Sequence, residues 1–255
     1  MRVAPVRGTE RYAATRGDRH ATGGSAREPT AARPPHTADP PFATAELRDL
    51  YRKRARAYDL VTRIYRRFGF RDTHWRERAA GWLALEPGNT ALDLACGTGL
   101  NFPALQARVG PSGRIVGVDL TDAMLARAGH RVARAGWQNV TLLEEDLAHW
   151  SPPPAHGIVS TLALSLVASY ERVVERAAAA LLPGGRLAVL DLKLPARWPP
   201  WLVRMGARLN RGYGVTLGLH AREPWMVIRR TLREVHYEEL FGGSLYLLVA
   251  EKDPA

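Results

Sequence analysis

Five short apolar runs recur through the middle of the chain, and helical patterns separate several of them. Residues 90–95, 114–119, 140–144, 157–162 and 186–192 read as strands. Each is a brief run rich in Leu, Val or Ile, bounded by Gly, Pro, Asn or Asp. From about Asn101 to Val109 the apolar residues take helical spacing. Ser169 to Leu182 is an Ala-rich helix that Pro183-Gly184-Gly185 ends. Strands alternating with helices predict an α/β fold, with a mostly parallel sheet and helices on both faces. Val235-His236-Tyr237 and Ser244 to Ala250 form a last strand pair, joined through Phe241-Gly242-Gly243.

Residues 1–42 depart from this pattern. They are rich in Arg, Ala, Pro, Gly and Thr and lack apolar periodicity, which predicts a disordered arm ahead of a domain spanning 43–255. Glu10, Asp18, Glu28 and Asp39 argue against a transit peptide, and no apolar core of signal-peptide type is present. No run approaches the length of a membrane-spanning helix. Cys96 is the single cysteine, so an intrachain disulfide is excluded and a reducing, cytoplasmic setting fits. No Cys/His cluster has metal-ligand spacing. The strong preference for Arg over Lys fits a GC-rich bacterial genome.

The first strand ends in chemistry. Thr90-Ala91-Leu92-Asp93-Leu94-Ala95-Cys96 runs into Gly97-Thr98-Gly99 and then into a helix. A strand, a glycine turn and a helix is how α/β folds make a nucleotide-type site. Glycines there let the backbone approach a ligand, having no Cβ. Asp93 is a carboxylate within a buried strand and needs a partner or a ligand. A second strand, Arg114 to Asp119, carries an acid at its end, at the distance expected for a carboxylate that binds ribose hydroxyls. A dinucleotide site calls for a third glycine where this chain has Phe102. Asp93 would also repel a pyrophosphate, whereas it suits a cationic group such as the ammonium of a methionyl moiety.

Leu92-Asp93-Leu94-Ala95-Cys96-Gly97-Thr98-Gly99 resembles the first motif of class I S-adenosylmethionine-dependent methyltransferases. Gly117-Val118-Asp119-Leu120-Thr121-Asp122-Ala123-Met124-Leu125 resembles the second, with Ala95 standing where the first glycine is usual. The "Leu-x-Pro-Gly-Gly-Arg-Leu" run ahead of strand five resembles the small-molecule and quinone or lipid methyltransferases. Tyr58-Asp59 followed by Trp75-Arg76 is similar to an element of the ubiquinone/menaquinone C-methyltransferases and phospholipid N-methyltransferases, in which the Tyr closes over the cofactor. The resemblance covers roughly Tyr58 to Glu251. It implies a Rossmann-like, seven-stranded, mostly parallel sheet with an antiparallel last strand, and S-adenosyl-L-methionine as cofactor. It assigns Asp93, Ala95, Cys96, Gly97, Gly99, Asn101, Asp119, Leu120, Met124, Asp146, Leu147 and Thr161 to the cofactor. Asp146 would accept from the adenine amino group and Leu147 would lie against the ring. Cys96 reads as a small packed residue rather than a nucleophile.

The acceptor side is less specific. Between Arg48 and Arg78 stand 11 basic and 4 acidic residues, and between Leu194 and Arg233 stand 8 basic and 1 acidic. In the family both segments, N-terminal helices over the active site (43–85) and an insert (194–233), cover the acceptor mouth. Clustered charge can steer an anionic partner. The first segment carries Tyr51, Tyr58, Tyr65, Phe68, Phe70 and Trp75, and the second Trp198, Trp201, Tyr213 and Trp225. Together they predict a basic, aromatic-lined mouth. Ala196 to Met205 reads three ways: an interfacial segment, a substrate lid, or a packed cap. The sulfonium is already activated, so the protein mainly aligns the reactants and keeps the site dry. A base is needed only where the acceptor must lose a proton. Tyr58 and His149 are the catalytic candidates, with His74 and His220 behind them. Ser160 to Leu164 is not of the Asn-Pro-Pro-Tyr type used on exocyclic amines, which argues against a nucleic-acid substrate. A small or lipid-like acceptor (quinone, lipid headgroup or secondary metabolite) is expected, with peripheral contact at the inner membrane face. The alternative is a methyltransferase fold that holds RNA or another anionic polymer on its basic surface.

Overall fold

The computed structural model describes residues 43–67, 72–195, 198–211, 218–219 and 222–254. The expectations for residues 1–42, Phe68, Phe70, Tyr213 and His220 fall outside these residues, as does the side chain of Tyr65. The order is α1 (Thr44–Arg67), α2 (Asp72–Trp82), β1 (Thr90–Leu94), α3 (Phe102–Val109), β2 (Arg114–Asp119), α4 (Asp122–Ala135), β3 (Val140–Glu144), β4 (Ala155–Thr161), α5 (Tyr170–Ala180), β5 (Leu181–Leu192), α6 (Pro200–Asn210), α7 (Pro224–Thr231), β6 (Arg233–Leu240) and β7 (Leu245–Glu251). The seven strands lie in the order β3-β2-β1-β4-β5-β7-β6. The first five are parallel, and β7 enters antiparallel between β5 and β6. This is the Rossmann-like sheet that the motifs imply.

The period of two along each strand sorts the core onto two faces. In β1, Leu92 and Leu94 join the side that carries Tyr170, Val173 and Ala177 of α5 and Trp225 and Ile228 of α7. Ala91 joins the other side, with Ala79 and Ala80 of α2, Phe102 and Leu105 of α3 and Ala128 of α4. In β7 the same alternation splits Tyr246, Leu248 and Ala250 from Leu245, Leu247 and Val249. Strands buried on both faces explain why the sequence shows continuous apolar runs rather than alternation.

Several boundaries differ, the start of strand five by the most. Strand five begins at Leu181, not at 186, because Leu181 already pairs with Ala155 before the register jumps to Gly157 and Arg186. Pro183-Gly184-Gly185 forms the irregularity within it, with Gly184 at φ 74°. A Cβ on Gly185 would sit 2.8 Å from the Leu182 carbonyl and 2.9 Å from that of His156, so only glycine fits.

Candidate functional site

Strand order reverses at β1, whose neighbours are β2 and β4, so a crevice opens beyond its carboxyl end. The turn leaving β1 holds Ala95, Gly97 and Gly99 at φ 53°, 56° and 75°. For Gly this region is free. For Ala95 it costs roughly 1–2 kcal/mol. Asp119 ties the turn to β2: its Oδ2 accepts from the Gly97 amide at 2.8 Å and its Oδ1 from the Thr121 amide at 2.9 Å. Phe102 occupies the space beneath. A Cβ on Gly99 would lie 2.5 Å from its ring and one on Gly117 2.7 Å. The aromatic ring that stands in place of a third glycine is thus what makes Gly99 and Gly117 necessary.

A cleft lies above this turn. Its floor and one wall come from Ala95, Gly97, Asp119, Leu120, Thr121, Met124 and Glu145 to His149. The loop after β4 (Ala163 and Leu166 to Ser169) closes a second side, and Thr44, Leu47 and Tyr51 of α1 a third. Seven of the expected cofactor residues therefore line one cleft: Ala95, Gly97, Asp119, Leu120, Met124, Asp146 and Leu147. Asp93, Cys96, Asn101 and Thr161 are buried below it, and Gly99 lies over Phe102. Burial raises the Cys96 thiol well above its ordinary value, so it stays protonated and poorly nucleophilic.

The buried residues form a polar chain. Asn101 Nδ2 donates to Asp93 Oδ1 at 2.8 Å and to Thr161 Oγ1 at 3.1 Å. Arg76 of α2 donates to Asn101 Oδ1 at 2.9 Å and also to Thr161 Oγ1, and Asp72 lies 3.7 Å from its Nε. Asp93 Oδ2 has no hydrogen-bond partner. Desolvation pushes the Asp93 carboxyl up to about 7, opposed by the Asn101 hydrogen bond and the Arg76 charge. Sequence reading noted Trp75-Arg76 but gave Arg76 no role. The Asp72/Arg76 spacing of four, on one helix face, was the available signal.

Asp59 clamps α1 onto the turn. Its Oδ1 accepts from Thr98 Oγ1 at 2.7 Å, and Arg131 Nη2 of α4 approaches its Oδ2 to 3.2 Å. Arg131 Nε in turn donates to the Thr98 carbonyl at 2.8 Å. Neighbouring Tyr58 packs against cleft-lining Tyr51, ring centroids 6.5 Å apart. Desolvation raises its phenol, with Arg76 opposing, so near neutral pH it is a hydrogen-bond donor rather than a base. His149 stands at the cleft rim, its side chain 75% exposed and Nδ1 3.4 Å from Asp146 Oδ2. His74 stacks edge-on against Trp75, and that ring meets Phe241.

A second buried group supports the loop after β4. Asp191, at the end of β5, accepts from Ser165 N at 2.6 Å, Ser165 Oγ at 3.0 Å and Leu192 N at 2.8 Å. Desolvation lifts its carboxyl to about 6 despite these donors. Arg222, 1% exposed, donates to the Ser165 carbonyl at 2.7 Å, to that of Val167, and to that of Ala168 at 3.3 Å. Its guanidinium lies 4.7 Å from the Tyr170 ring centroid. Nothing in the sequence singled out Arg222, Ser165 or Asp191.

Among the described residues, the aromatic side chains of the two basic segments do not gather into one mouth. Trp225 is a core residue, T-shaped against Tyr246 at 5.2 Å. Trp75 packs beneath Arg78 and against Phe241. Among the described residues, none between 194 and 233 lines the cleft. Through Arg222 the insert holds the loop that borders the cleft.

Residues 91–185 match the family model described as a methyltransferase domain. The chain is 37% identical over 123 residues to 2-phytyl-1,4-naphtoquinone methyltransferase of Thermosynechococcus vestitus, covering 48% of this chain and 54% of that protein. It is 33% identical over 157 residues to demethylmenaquinone methyltransferase of Tropheryma whipplei, covering 61% and 62%. Residues 91–185 are thus similar to a methyltransferase domain, and the two relatives that the chain resembles are methyltransferases. The fold likeness agrees: a SAM-dependent methyltransferase from Aquifex aeolicus superposes with a TM-score of 0.52 at 20% identity, covering 69% of this chain and 88% of that one. The chain spans between 54% and 62% of the length of these two relatives.

The geometry is compatible with the cofactor that the two motifs imply. A backbone bent into the left-handed region approaches the cleft at Ala95 and Gly97. One carboxylate, Asp119, stands at the end of β2, and a buried carboxylate oxygen of Asp93 still seeks positive charge.

Proposed function

We propose that this chain transfers a methyl group from S-adenosyl-L-methionine, by in-line displacement, to a small or amphipathic acceptor such as a quinone, a lipid headgroup or a secondary metabolite. The observation that carries the reading is the cleft itself. It brings the acid that ends β2, the glycine turn after β1 and Asp146-Leu147 after β3 into one wall, at the switch point of the sheet.

In this proposal Asp119 receives the ribose hydroxyls; each of its oxygens already takes one amide and keeps a lone pair for a further donor. Leu120, Met124 and Leu147 flank the adenine, whose amino group meets Asp146. Asp146 Oδ1 is held by the Ala148 amide at 2.9 Å, which fixes the carboxylate. Asp93 offers negative charge from below, through Asn101. The cofactor, when bound, supplies an activated methyl on a sulfonium. The chain supplies alignment and exclusion of water: α1, clamped by Asp59, covers the cleft from above, and the loop 163–169, clamped by Arg222, covers it from the acceptor side. Tyr58, on α1 itself, serves as a hydrogen-bond donor. His149 remains the candidate base for an acceptor that must lose a proton.

Two quinone methyltransferases among the relatives favour an aromatic, lipid-tailed acceptor. Such a molecule resides at a membrane, so peripheral contact at the inner face belongs to the same proposal. No described helix is long and apolar enough to cross a membrane. The test is to incubate the protein with methyl-labelled cofactor and cell extract and to fractionate the products. Label in the organic-soluble fraction supports the reading. Label in RNA, or cofactor binding without transfer to any fraction, overturns it.

A further inference from the structure

We infer that α6 is a docking helix that seats the methyltransferase on an anionic lipid surface. Among the described side chains of α6 not one is buried. Trp201 is 60% exposed, Met205 45% and Leu209 71%. Their spacing of four lays them along one stripe of the helix. A single exposed Leu is unremarkable, but among the described residues these three make up most of the exposed large hydrophobics, the other being Phe241 at 40%. Phe241 packs against Trp75, while the adjoining Gly242 lies against Trp198, just ahead of α6: a Cβ there would sit 2.6 Å from Trp198 Nε1. None of the three stripe residues belongs to either buried core cluster.

The charge identifies the occupant. Arg204 and Arg208 flank the stripe, Arg211 follows the helix, and all three are exposed. Between Leu194 and Arg222 the sequence contains no acid. A second copy docking through the same stripe would set these arginines against their own counterparts. The chain's residues 1–42 carry seven Arg against four acids, the same sign. A lipid surface bearing anionic headgroups accepts both features at once, the Trp, Met and Leu side chains at the acyl boundary and the guanidinium groups among the headgroups. Pro199 and Pro200 start the helix rigidly after the carboxyl end of β5, the end of the parallel strands at which the cleft opens. Docking there would bring the cleft beside the bilayer. The purpose of this arrangement rests on the lipid-like acceptor proposed above, but the binding itself does not.

The experiment is co-sedimentation of the full chain, without cofactor, with vesicles of phosphatidylcholine alone and with phosphatidylglycerol added. The expected result is pelleting with the anionic vesicles, weakened by salt, and little with the neutral ones. Trp201→Asp should abolish it. R204Q/R208Q should lower the partition roughly five-fold per arginine and erase the preference for anionic lipid. Both variants lie on an exposed face, so unchanged melting and unchanged binding of S-adenosylhomocysteine verify that the domain is intact. Absence of pelleting overturns the inference. So does pelleting that Trp201→Asp leaves intact, which is charge adsorption only, or a dimer that this variant dissociates, which makes the stripe a self-interface. Methyl transfer is not measured, so failure here leaves the cleft's proposed activity standing.

Discussion

The turn after β1 and helix α6 handle the same residue types in opposite ways. Around the turn, charged and amide side chains go inward: Asp93 is fully buried, Asn101 is 2% exposed and Arg76 5%. On α6, large apolar side chains go outward. A buried carboxylate without full partners and an exposed Trp are both unfavourable alone, and each points to something that completes it. In the first region the missing partner is cationic and small. In the second it is apolar, extended and anionic at its face. Motif residues advertise the first because backbone geometry restricts which side chains fit. No such restriction acts on an exposed helix.

Arg222 is where the insert stops being surface and enters the core, so it tests the comparison most severely. Arg222→Ala removes the donor to three loop carbonyls and leaves Asp191 buried with less compensation. Loss of one partner from such a group costs about 3–5 kcal/mol. Thermal melting should fall by on the order of 10 °C. Trp201→Ala, earlier in the same insert, should change stability by no more than about 0.5 kcal/mol. Equal effects from the two variants would erase the distinction drawn between α6 and the core.

The next effect is on the cofactor. Asp119→Ala should weaken S-adenosylmethionine binding by about 1.5–3 kcal/mol, the scale of hydrogen bonds to a charged group. Asp119→Asn should lose less, because an amide oxygen can still accept from Gly97 or Thr121. Titration calorimetry on both variants decides this, and an unchanged dissociation constant for Asp119→Ala would remove Asp119 from the site.

The sheet was legible because parallel strands buried on both faces leave continuous apolar runs, and the turn because left-handed φ at Gly97 and Gly99 leaves glycine. Asp59 was quoted as part of a motif, yet its partners Thr98 and Arg131 lie 39 and 72 residues away, and no periodicity links them. Arg222 and Arg204 read alike, as two of the basic residues in one insert. Only the fold separates a guanidinium that holds three carbonyls from one that meets water. Trp225 misled for the same reason: composition placed it with Trp201, while the spacing of Trp225 and Ile228 on α7 buries both.

A smaller effect sharpens the reading of Asp93. Its carboxyl is held near 7 in the folded protein, against an ordinary value of 3.8. Between those values the folded chain keeps a proton that the unfolded chain has released, so the contribution to stability falls as pH rises through that window. Asp93→Asn is neutral throughout and escapes that loss. Relative to the parent, without ligand, the variant should gain stability between about pH 5 and pH 7, by at most about 1.4 kcal/mol per pH unit. Asp191 has the same sign but is common to both proteins. Denaturant unfolding at several pH values measures the difference. A flat difference would mean that Asp93 stays ionised, its charge met by Arg76.

The smallest effect concerns Ala95, the one member of the turn whose left-handed backbone is not relieved by glycine. At φ 53° its Cβ crowds the following carbonyl. Ala95→Gly removes that strain, worth about 1–2 kcal/mol, and gives back about 0.4–1 kcal/mol through the greater freedom of the unfolded chain. The net should be a gain of under about 1.5 kcal/mol, read as a modest rise in the denaturation midpoint with an unchanged slope. Cofactor affinity should stay level or rise, because the Ala95 methyl lines the cleft without contributing a hydrogen bond. A loss of affinity would show that the methyl packs against the bound cofactor. The substitution at the usual first glycine would then be a contact of this site, and the turn would share with α6 an apolar group placed for a ligand rather than for the core.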